Sequence, residues 1–247
     1  MPRFFVNKTN INRDIINIDG EEAYHISKVL RLRCEDNIVI NDGNNIDYLC
    51  EIVSLDKSNV TAKIIEIIKN NSEPLVKIIL FQGMPKLDKM DFIIQKSVEL
   101  GVNEIYPVIT ERTITKINNQ KDENRKNERW QRISKEAAKQ SNRGIIPKVY
   151  PQINFCDALE IMKTSDLKII AYEKEKEINL RKITQKIDLN IKEISIIIGA
   201  EGGFSPKEIE EAVELGVKSI SLGPRILRTE TASITLLSIL MYEMEML

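Results

Sequence analysis

The 247 residues are enough for one large or two modest domains, since a domain usually has about 100–200 residues. Hydrophobic residues make up 42% and charged residues 30% of the chain, a balance that supports a buried core and excludes a disordered composition. The net charge of −1 excludes a strongly basic nucleic-acid-binding domain, so any RNA site must depend on local basic patches.

The sequence carries no sign of export, membrane insertion or metal binding. Its longest apolar runs, such as Ile194–Ile198, are too short to cross a bilayer, and Met1–Lys8 lacks the apolar region of a signal peptide. Cys34, Cys50 and Cys156 form no CxxC pair, which argues against a zinc site or a disulfide framework. We therefore expect a cytoplasmic protein with three buried thiols, no metal site and no membrane contact.

Short strand patterns fill residues 1–69. Strands are predicted at Ile15–Ile18, Ile38–Ile40, Tyr48–Val53 and Val60–Ile68, and one helix at about Glu21–Leu30. An Asp-Gly pair at residues 42–43 favours a hairpin turn, because these residues tolerate positive φ. We expect the strands to close into a small β-barrel.

The polar segment Lys69–Pro74 indicates a linker, and the pattern changes after it. The predicted strands Val76–Phe81, Glu104–Val108, Leu167–Ala171, Glu193–Ile198 and Val217–Leu222 alternate with helical segments. That alternation predicts the α/β class, with a parallel sheet and crossover helices. The chain is thus divided into a strand-rich domain over residues 1–69 and an α/β domain over residues 75–247.

The glycine-rich segment at residues 198–205 is the most informative part of the sequence. A strand ends at Gly199, and Ser205 and Glu208 have the spacing of a helix capping box. Three glycines between the carboxyl end of a strand and a helix favour a ligand site, since glycine lets a ligand approach the backbone. Gly202 is expected to need either unusual backbone angles or close ligand approach. The loop lacks a Walker lysine and GxGxxG spacing, which makes ordinary nucleotide-binding loops poor matches.

A second loop of this kind follows the strand that ends near Leu222. A glycine, a proline and two arginines precede Thr229, which is able to cap a helix, and the loop lies at the same predicted sheet edge as the first. The last helix, at about Glu230–Met246, presents four apolar residues at helical spacing: Ile234, Leu237, Met241 and Met244. This stripe is typical of the core or of a subunit interface.

Basic residues are concentrated between Glu111 and Lys148, where eleven Lys or Arg face five Asp or Glu. The helix predicted near Arg125–Ser141 brings several of them close to one face: Arg125, Arg129, Arg132 and Lys139. A smaller basic cluster lies at residues 25–33. An excess of positive charge in one segment of a near-neutral chain favours contact with phosphates. The alternative is that these residues form a solvated surface.

Five segments, in order, resemble the SPOUT methyltransferases, and most nearly the bacterial 16S ribosomal RNA uridine-N3 methyltransferase family. They are residues 25–31 (His-Ile-Ser-Lys-Val-Leu-Arg), 94–102 with 110–112, 136–143, 198–205 and 222–232. The resemblance extends over nearly the whole chain. It departs from the family at two positions, Ala200 and Leu87, where the family usually has proline and glycine.

The resemblance implies a C-terminal α/β domain with a trefoil knot, a small N-terminal PUA-like β-barrel and a homodimer. It also implies that S-adenosylmethionine binds to the knot loops, with contacts from Tyr172, Ile198, Gly199, Gly202, Gly203, Leu222, Gly223, Ile226 and Leu227. The expected function is N3-methylation of a specific uridine in 16S ribosomal RNA of the small ribosomal subunit.

Methylation at N3 of uracil requires the loss of a ring proton and stabilisation of the charge that spreads onto the two ring oxygens. Arg228 is the candidate for that stabilisation, and Glu230 or Glu201 for proton acceptance. An equally weighted alternative is that both carboxylates only bind backbone amides at helix starts. RNA contact is expected from seven residues: His25, Lys28, Arg31, Arg112, Arg129, Arg132 and Arg143.

Two other functions stay open from the sequence. One is a SPOUT methyltransferase with another RNA acceptor, such as a ribose 2′-hydroxyl or a transfer RNA base. The other is a non-catalytic RNA-binding or ligand-sensing protein on the same fold.

Overall fold

The computed structural model describes residues 1–56, 58–114, 119–185, 187–188 and 190–245, and the chain divides into two compact units. The first unit combines Met1–Glu73 with Ala138–Ile146, and the second combines Pro74–Ala137 with Pro147–Leu247. Within the described ranges, no helix has the length and apolar character that a membrane span requires.

A six-stranded sheet forms the framework of the first unit. Its strands are β1 (Arg3–Phe5), β2 (Ile11–Asn12), β3 (Ile15–Asp19), β4 (Asn37–Asn41), β5 (Ile46–Leu55) and β6 (Asn59–Lys69). They lie in the order β1-β4-β5-β6-β3-β2, with β1 parallel to β4 and the other neighbours antiparallel. Each run predicted as a strand in this part of the sequence lies within an observed strand.

Alternating burial explains how these strands build the core of the first unit. In β3, Ile16 and Ile18 are buried while Asn17 and Asp19 are exposed, the period expected of a half-buried strand. The α-helix α1 (Gly20–Tyr24) continues as a π-helix over His25–Val29, and together they cover the predicted helical segment except Leu30.

Cys50 is the one cysteine of the three that is buried, in this core. Cys34 and Cys156 are exposed, so the expectation of three buried thiols was wrong for two of them.

Arg143 is buried in the first unit, with 2% of its surface exposed. Its Nη2 lies 2.6 Å from Glu73 Oε2, and the same carboxylate accepts hydrogen bonds from the Gly144 and Ile145 amides at 2.9 and 3.2 Å. The prediction of RNA contact by Arg143 is therefore wrong for this structure, because the guanidinium is enclosed and already paired. It holds residues 138–146 to the rest of the first unit.

The second unit has a parallel sheet whose strands alternate with helices. The strands are β7 (Lys77–Gly83), β8 (Glu104–Ile109), β9 (Lys148–Val149), β10 (Ile153–Asn154), β11 (Leu167–Ala171), β12 (Glu193–Ile198) and β13 (Lys218–Ile220). The helices are α2 (Lys89–Glu99), α3 (Gln120–Gln140), α4 (Phe155–Met162), α5 (Leu180–Thr184), α6 (Pro206–Glu214) and α7 (Thr229–Glu245). The sheet order is β10-β8-β7-β12-β11-β13, with β9 also paired to β8, and the predicted α/β class is confirmed.

Local sequence accounts for the elements around the glycine-rich segment. Strand β12 is an almost continuous isoleucine run and is buried on both faces, as expected for a central parallel strand. At the start of α6, Ser205 Oγ accepts from the Glu208 amide at 3.3 Å, and Glu208 Oε2 accepts from the Ser205 amide at 2.8 Å. The predicted capping box is thus confirmed, and it fixes where the loop ends and the helix begins.

The apolar stripe of the last helix belongs to the core of the second unit. Leu237, Met241 and Met244 are buried within this chain, and α7 packs against α2. The core interpretation of the stripe is therefore correct, and these three side chains are not available as a subunit interface. The predicted helix end at Met246 lies outside the described residues.

We expect Arg143→Ala to lower the free energy of unfolding by about 3 kcal/mol, because the largely enclosed Glu73 carboxylate loses its charged partner and keeps only the two amide hydrogen bonds. Urea denaturation followed by circular dichroism measures this loss. Lys207→Ala is the control, since it removes an exposed pair with Glu211 and should cost less than about 1 kcal/mol. Equal losses in the two variants would contradict the structural role of Arg143.

Candidate active site

A cavity of about 520 Å³ opens at the carboxyl ends of β11, β12 and β13, within the size range of small-molecule sites. These strands are parallel neighbours, so the loops that follow them meet at one edge of the sheet. The lining comes from residues 171–173, 198–204 and 222–229, together with Lys89 and Ala232.

The residues predicted from the sequence to bind the cofactor lie together at this edge of the sheet. All nine predicted cofactor-binding residues line the cavity: Tyr172, Ile198, Gly199, Gly202, Gly203, Leu222, Gly223, Ile226 and Leu227. Arg228 and Glu201 line it as well, and Glu230 lies in the first turn of α7. The wall combines apolar side chains with backbone groups and charged side chains, a mixture that suits an amphipathic ligand.

Close backbone packing fixes the glycine-rich loop. At Gly83, at the end of β7, a Cβ atom would lie 2.5 Å from the Ala200 amide nitrogen, and Gly203 has a left-handed φ of 63°. Gly202 does not have the unusual backbone angles that were one of its two predicted alternatives, since its φ is not left-handed. A Cβ there would lie 2.9 Å from Arg112 Cβ, so Arg112 favours glycine at this position, and close ligand approach stays a prediction.

Thr229 connects the last helix to the loop after β12. Its Oγ1 donates to the Gly199 carbonyl at 2.6 Å and accepts from Gln82 Nε2 at 2.9 Å. The fully buried Gln82 also accepts a hydrogen bond from Ser233, one turn further along α7. The sequence indicated Thr229 only as a helix cap and did not indicate Gln82, whose role depends on β7 lying beside β12.

A charged cluster lies at the edge of the cavity. The Lys89 Nζ lies 3.0 Å from Glu201 Oε1 and 3.3 Å from Glu230 Oε2. The second distance is that of an ion pair without hydrogen-bond geometry, since Glu230 Oε2 has no hydrogen-bond partner. Glu201 also accepts from the Lys86 amide, at 3.2 Å to each oxygen. Lys89 was missed in the sequence because no local motif marks it.

The electrostatics of the cluster favour ionised side chains. Burial raises the pKa of Glu201, but hydrogen bonds from its own amide, from Lys89 and from the Lys86 amide outweigh burial and leave this pKa below its ordinary value. The hydrogen bond to Glu201 is the main cause that raises the pKa of Lys89. A carboxylate whose pKa is lowered is a weaker base, which counts against Glu201 as the proton acceptor.

The backbone conformation at Leu87 explains why the family usually has glycine at this position. Leu87 has a left-handed φ of 58° and is 88% exposed, in the segment between Lys86 and Lys89. Glycine adopts this conformation without steric cost, whereas a residue with a Cβ does not. Strain of this kind is often found beside functional sites, and here it adjoins the cavity.

In the second unit, the predicted RNA-contacting residues differ in their surroundings. Arg112 Nη1 donates to the Gly202 carbonyl at 3.2 Å, which attaches it to the glycine-rich loop. Arg129 is paired with Asp91, with Asp88 4.0 Å away, so its charge is partly neutralised. Arg132 is exposed on the same helix.

In the first unit, the basic cluster lies on the π-helix and the turn that follows it. Lys28 and Arg31 are exposed, and Arg31 has a left-handed φ of 55°. His25 is half-buried, with its ring edge-on to Phe4 at 5.9 Å between centroids. Lys139, predicted for the basic face of α3, instead forms an ion pair with Glu22 at 2.8 Å.

The sequence matches two family models. One, described as an RNA methyltransferase domain, covers residues 71–241, and the other, described as an RNA methyltransferase PUA domain, covers residues 18–65. The chain therefore belongs to the RNA methyltransferase family, as its five motifs predicted. The first unit contains the PUA-domain match, and the cavity lies within the methyltransferase-domain match.

Individual relatives show which RNA methyltransferases the chain resembles. The chain is 41% identical to ribosomal RNA small subunit methyltransferase E of Mesomycoplasma hyopneumoniae (strain 232), over 96% of this chain and 98% of the relative. It is 35% identical to the protein of that name from Bacillus subtilis (strain 168), over 100% and 98%. It is also similar to the crystal structure of the Neisseria gonorrhoeae enzyme of that name bound to S-adenosyl methionine, with 32% identity, a TM-score of 0.87 and coverage of 98% and 97%.

We expect Leu87→Gly to stabilise the protein by about 1 kcal/mol, because it removes the steric cost of a left-handed residue with a Cβ. The exposed side chain gives up little packing, and the greater freedom of glycine in the unfolded chain offsets only part of the gain. Thermal unfolding measures the change. Leu75→Gly is the control: Leu75 is equally exposed without a left-handed φ, so this variant should be less stable than the parent. A loss of stability in both variants would refute strain at Leu87.

Proposed function

We propose that this protein transfers a methyl group from S-adenosylmethionine to N3 of a specific uridine in 16S ribosomal RNA of the small ribosomal subunit. The observation that carries the proposal is the loop-built cavity at the carboxyl ends of three parallel strands, in a chain of the RNA methyltransferase family. The names of its relatives and the S-adenosyl methionine bound to a similar structure support the substrate and the cofactor.

The cavity residues fit this cofactor. The peptide groups of Gly199, Gly203 and Gly223 would approach it without side chains in the way, and Leu222 and Leu227 would cover its apolar parts and exclude water. When bound, S-adenosylmethionine supplies an electrophilic methyl group, so the protein has to orient the acceptor and manage one proton.

Arg228 is the proposed electrostatic stabiliser of the deprotonated uracil. It lines the cavity between the second loop and α7, where a guanidinium would face charge that develops on the ring oxygens. Of the two candidate proton acceptors, Glu230 is the better one, because donors on two sides hold Glu201 and lower its pKa. Thr229, between Arg228 and Glu230, would keep both near the cofactor loop through its bond to Gly199.

RNA binding is proposed for the basic surface of each unit. In the PUA-like first unit, His25, Lys28 and Arg31 would grip phosphates, and in the second unit Arg112 and Arg132 are the leading candidates. Phosphate contacts of this kind dominate affinity for nucleic acids, whereas the cavity would select the base. In this scheme the first unit, which includes residues 138–146 in addition to the predicted 1–69, binds the RNA, and the second unit, predicted as 75–247, binds the cofactor.

The trefoil knot and the homodimer follow from the family resemblance and stay predictions. The buried stripe of α7 does not supply a dimer contact. The exposed apolar side chains of the same helix are Ile239 and Tyr242, which are 37% and 64% exposed, and we propose them as part of the subunit interface.

Two outcomes would redirect the proposal to the alternatives that the sequence left open. A methylated ribose or a methylated transfer RNA base would indicate a different RNA acceptor. RNA binding without methyl transfer would indicate a non-catalytic protein on this fold.

The decisive test is nucleoside mass spectrometry of ribosomal RNA incubated with the protein and S-adenosylmethionine. We expect 3-methyluridine in 16S ribosomal RNA from the parent protein. Gly83→Ala should lose cofactor affinity and product, because its methyl group displaces the loop at Ala200. Gly216→Ala is the control: its added methyl group meets nothing within 4 Å, and its cost comes from a left-handed φ of 78° after α6, outside the cavity lining, so it should lower stability but not cofactor affinity. A Gly83→Ala variant with full cofactor affinity by calorimetry would contradict the assignment of this loop.

RNA affinity should respond differently to the two arginines of α3. We expect Arg132→Ala to weaken 16S ribosomal RNA binding and to reduce the salt slope by about one unit, as the loss of one phosphate contact requires. Arg129→Ala should have a smaller effect, because Asp91 already pairs with Arg129. Filter binding at several salt concentrations measures both slopes. An unchanged slope for Arg132→Ala would identify this face as solvated surface.

A further inference from the structure

Lys89, the first residue of α2, extends its side chain to the cavity without belonging to any motif of the sequence. Its ammonium lies 3.0 Å from Glu201 Oε1 and 3.3 Å from Glu230 Oε2. One cation thus bridges the glycine-rich loop after β12 and the first turn of α7, two segments joined otherwise by the Thr229 hydrogen bond to Gly199.

Fold stability does not account for this bridge. The side chains of Lys89, Glu201 and Glu230 are 29%, 28% and 17% exposed, and ion pairs that solvent reaches contribute roughly 0–1 kcal/mol. Replacing such groups with well-packed apolar residues is often neutral or stabilising, so stability alone does not require them. The three charged groups instead lie at the edge of the cavity in which the proposed reaction removes a proton and develops charge on the uracil ring.

We propose that Lys89 is a positioning residue for methyl transfer, which holds the Glu230 and Glu201 carboxylates in fixed places at the cavity edge. The proposal rests on the function proposed above. Glu230 follows Arg228 by two residues, so an ion pair that restrains Glu230 also restrains the segment that carries Arg228. Lys89 touches neither substrate nor cofactor in this scheme and acts through Glu230.

The charges around the cavity make the effect of losing Lys89 depend on pH. Besides the cluster, the charged side chains lining the cavity are Glu173, Arg225 and Arg228. Without the Lys89 ammonium, Glu201 and Glu230 would lose the cation that both contact, and repulsion between the two carboxylates would raise the pKa of one of them. If the reaction requires both to be ionised, activity would then be lost at a higher pH as the solution is acidified.

The test compares Lys89→Met, Lys89→Arg and Lys207→Met in the full-length protein. Lys207 is the matched control because it also pairs with a glutamate, Glu211, but on the exposed surface of α6. For Lys89→Met we expect kcat to fall by roughly 10–100-fold, the loss that a small misplacement causes, with cofactor affinity close to that of the parent. The acid limb of its pH–rate profile should move to higher pH by about one pH unit. Lys89→Arg should recover most of the activity.

Two activity results would overturn the proposal. One is parent-like activity of Lys89→Met at every pH, and the other is a loss that is uniform across pH and not recovered by Lys89→Arg. A carboxyl ¹³C NMR titration of Glu201 and Glu230 tests the charge coupling without turnover, and unmoved pKa values in Lys89→Met would also overturn it. Absence of methyl transfer by the parent protein would refute the proposed function and with it the role of Lys89 in the reaction, whereas the titration separately decides whether Lys89 couples the two carboxylates.

Discussion

The cavity exists because β12, β11 and β13 run side by side in one direction. The register pairs Ile169 of β11 with Ile196 of β12 on one side and with Lys218 of β13 on the other, so the three carboxyl ends reach the same edge. The loop contacts depend on this alignment, including the reach of Thr229 to Gly199. A slip of one residue in any of these strands would turn its side chains to the opposite face and separate the loops.

The parts of the site that were predictable from the sequence have local signals. Three glycines, a strand before them and a capping box after them lie within a short window, so both loops were found without knowledge of the sheet order. Lys89 and Gln82 have no such signal. They reach the site because β7 lies beside β12, a long-range pairing that a local pattern does not encode. Sequence reasoning therefore located the backbone of the site better than its charged side chains.

The errors in the sequence analysis share a physical cause, which is that burial depends on partners distant in the chain. Arg143 lies in a basic stretch and was counted as surface, yet Glu73 encloses it. Unusual backbone angles were one of the two alternatives for Gly202, yet its φ is ordinary and Arg112 lies close beside it. The family proline that is alanine here, Ala200, packs its backbone against Gly83, so contact with β7 supplies some of the restraint that a proline ring would give.

The position of residues 138–146 also bears on the order in which the chain is made. Glu73 precedes its partner Arg143 by 70 residues, and translation delivers the chain from its N-terminus at about 5–20 residues per second. The Glu73 carboxylate therefore emerges well before the arginine that neutralises it. The first unit, although it begins the chain, acquires its last buried ion pair only after β7, α2, β8 and α3 have been synthesised. The first unit can therefore be completed only after this part of the second unit has been synthesised.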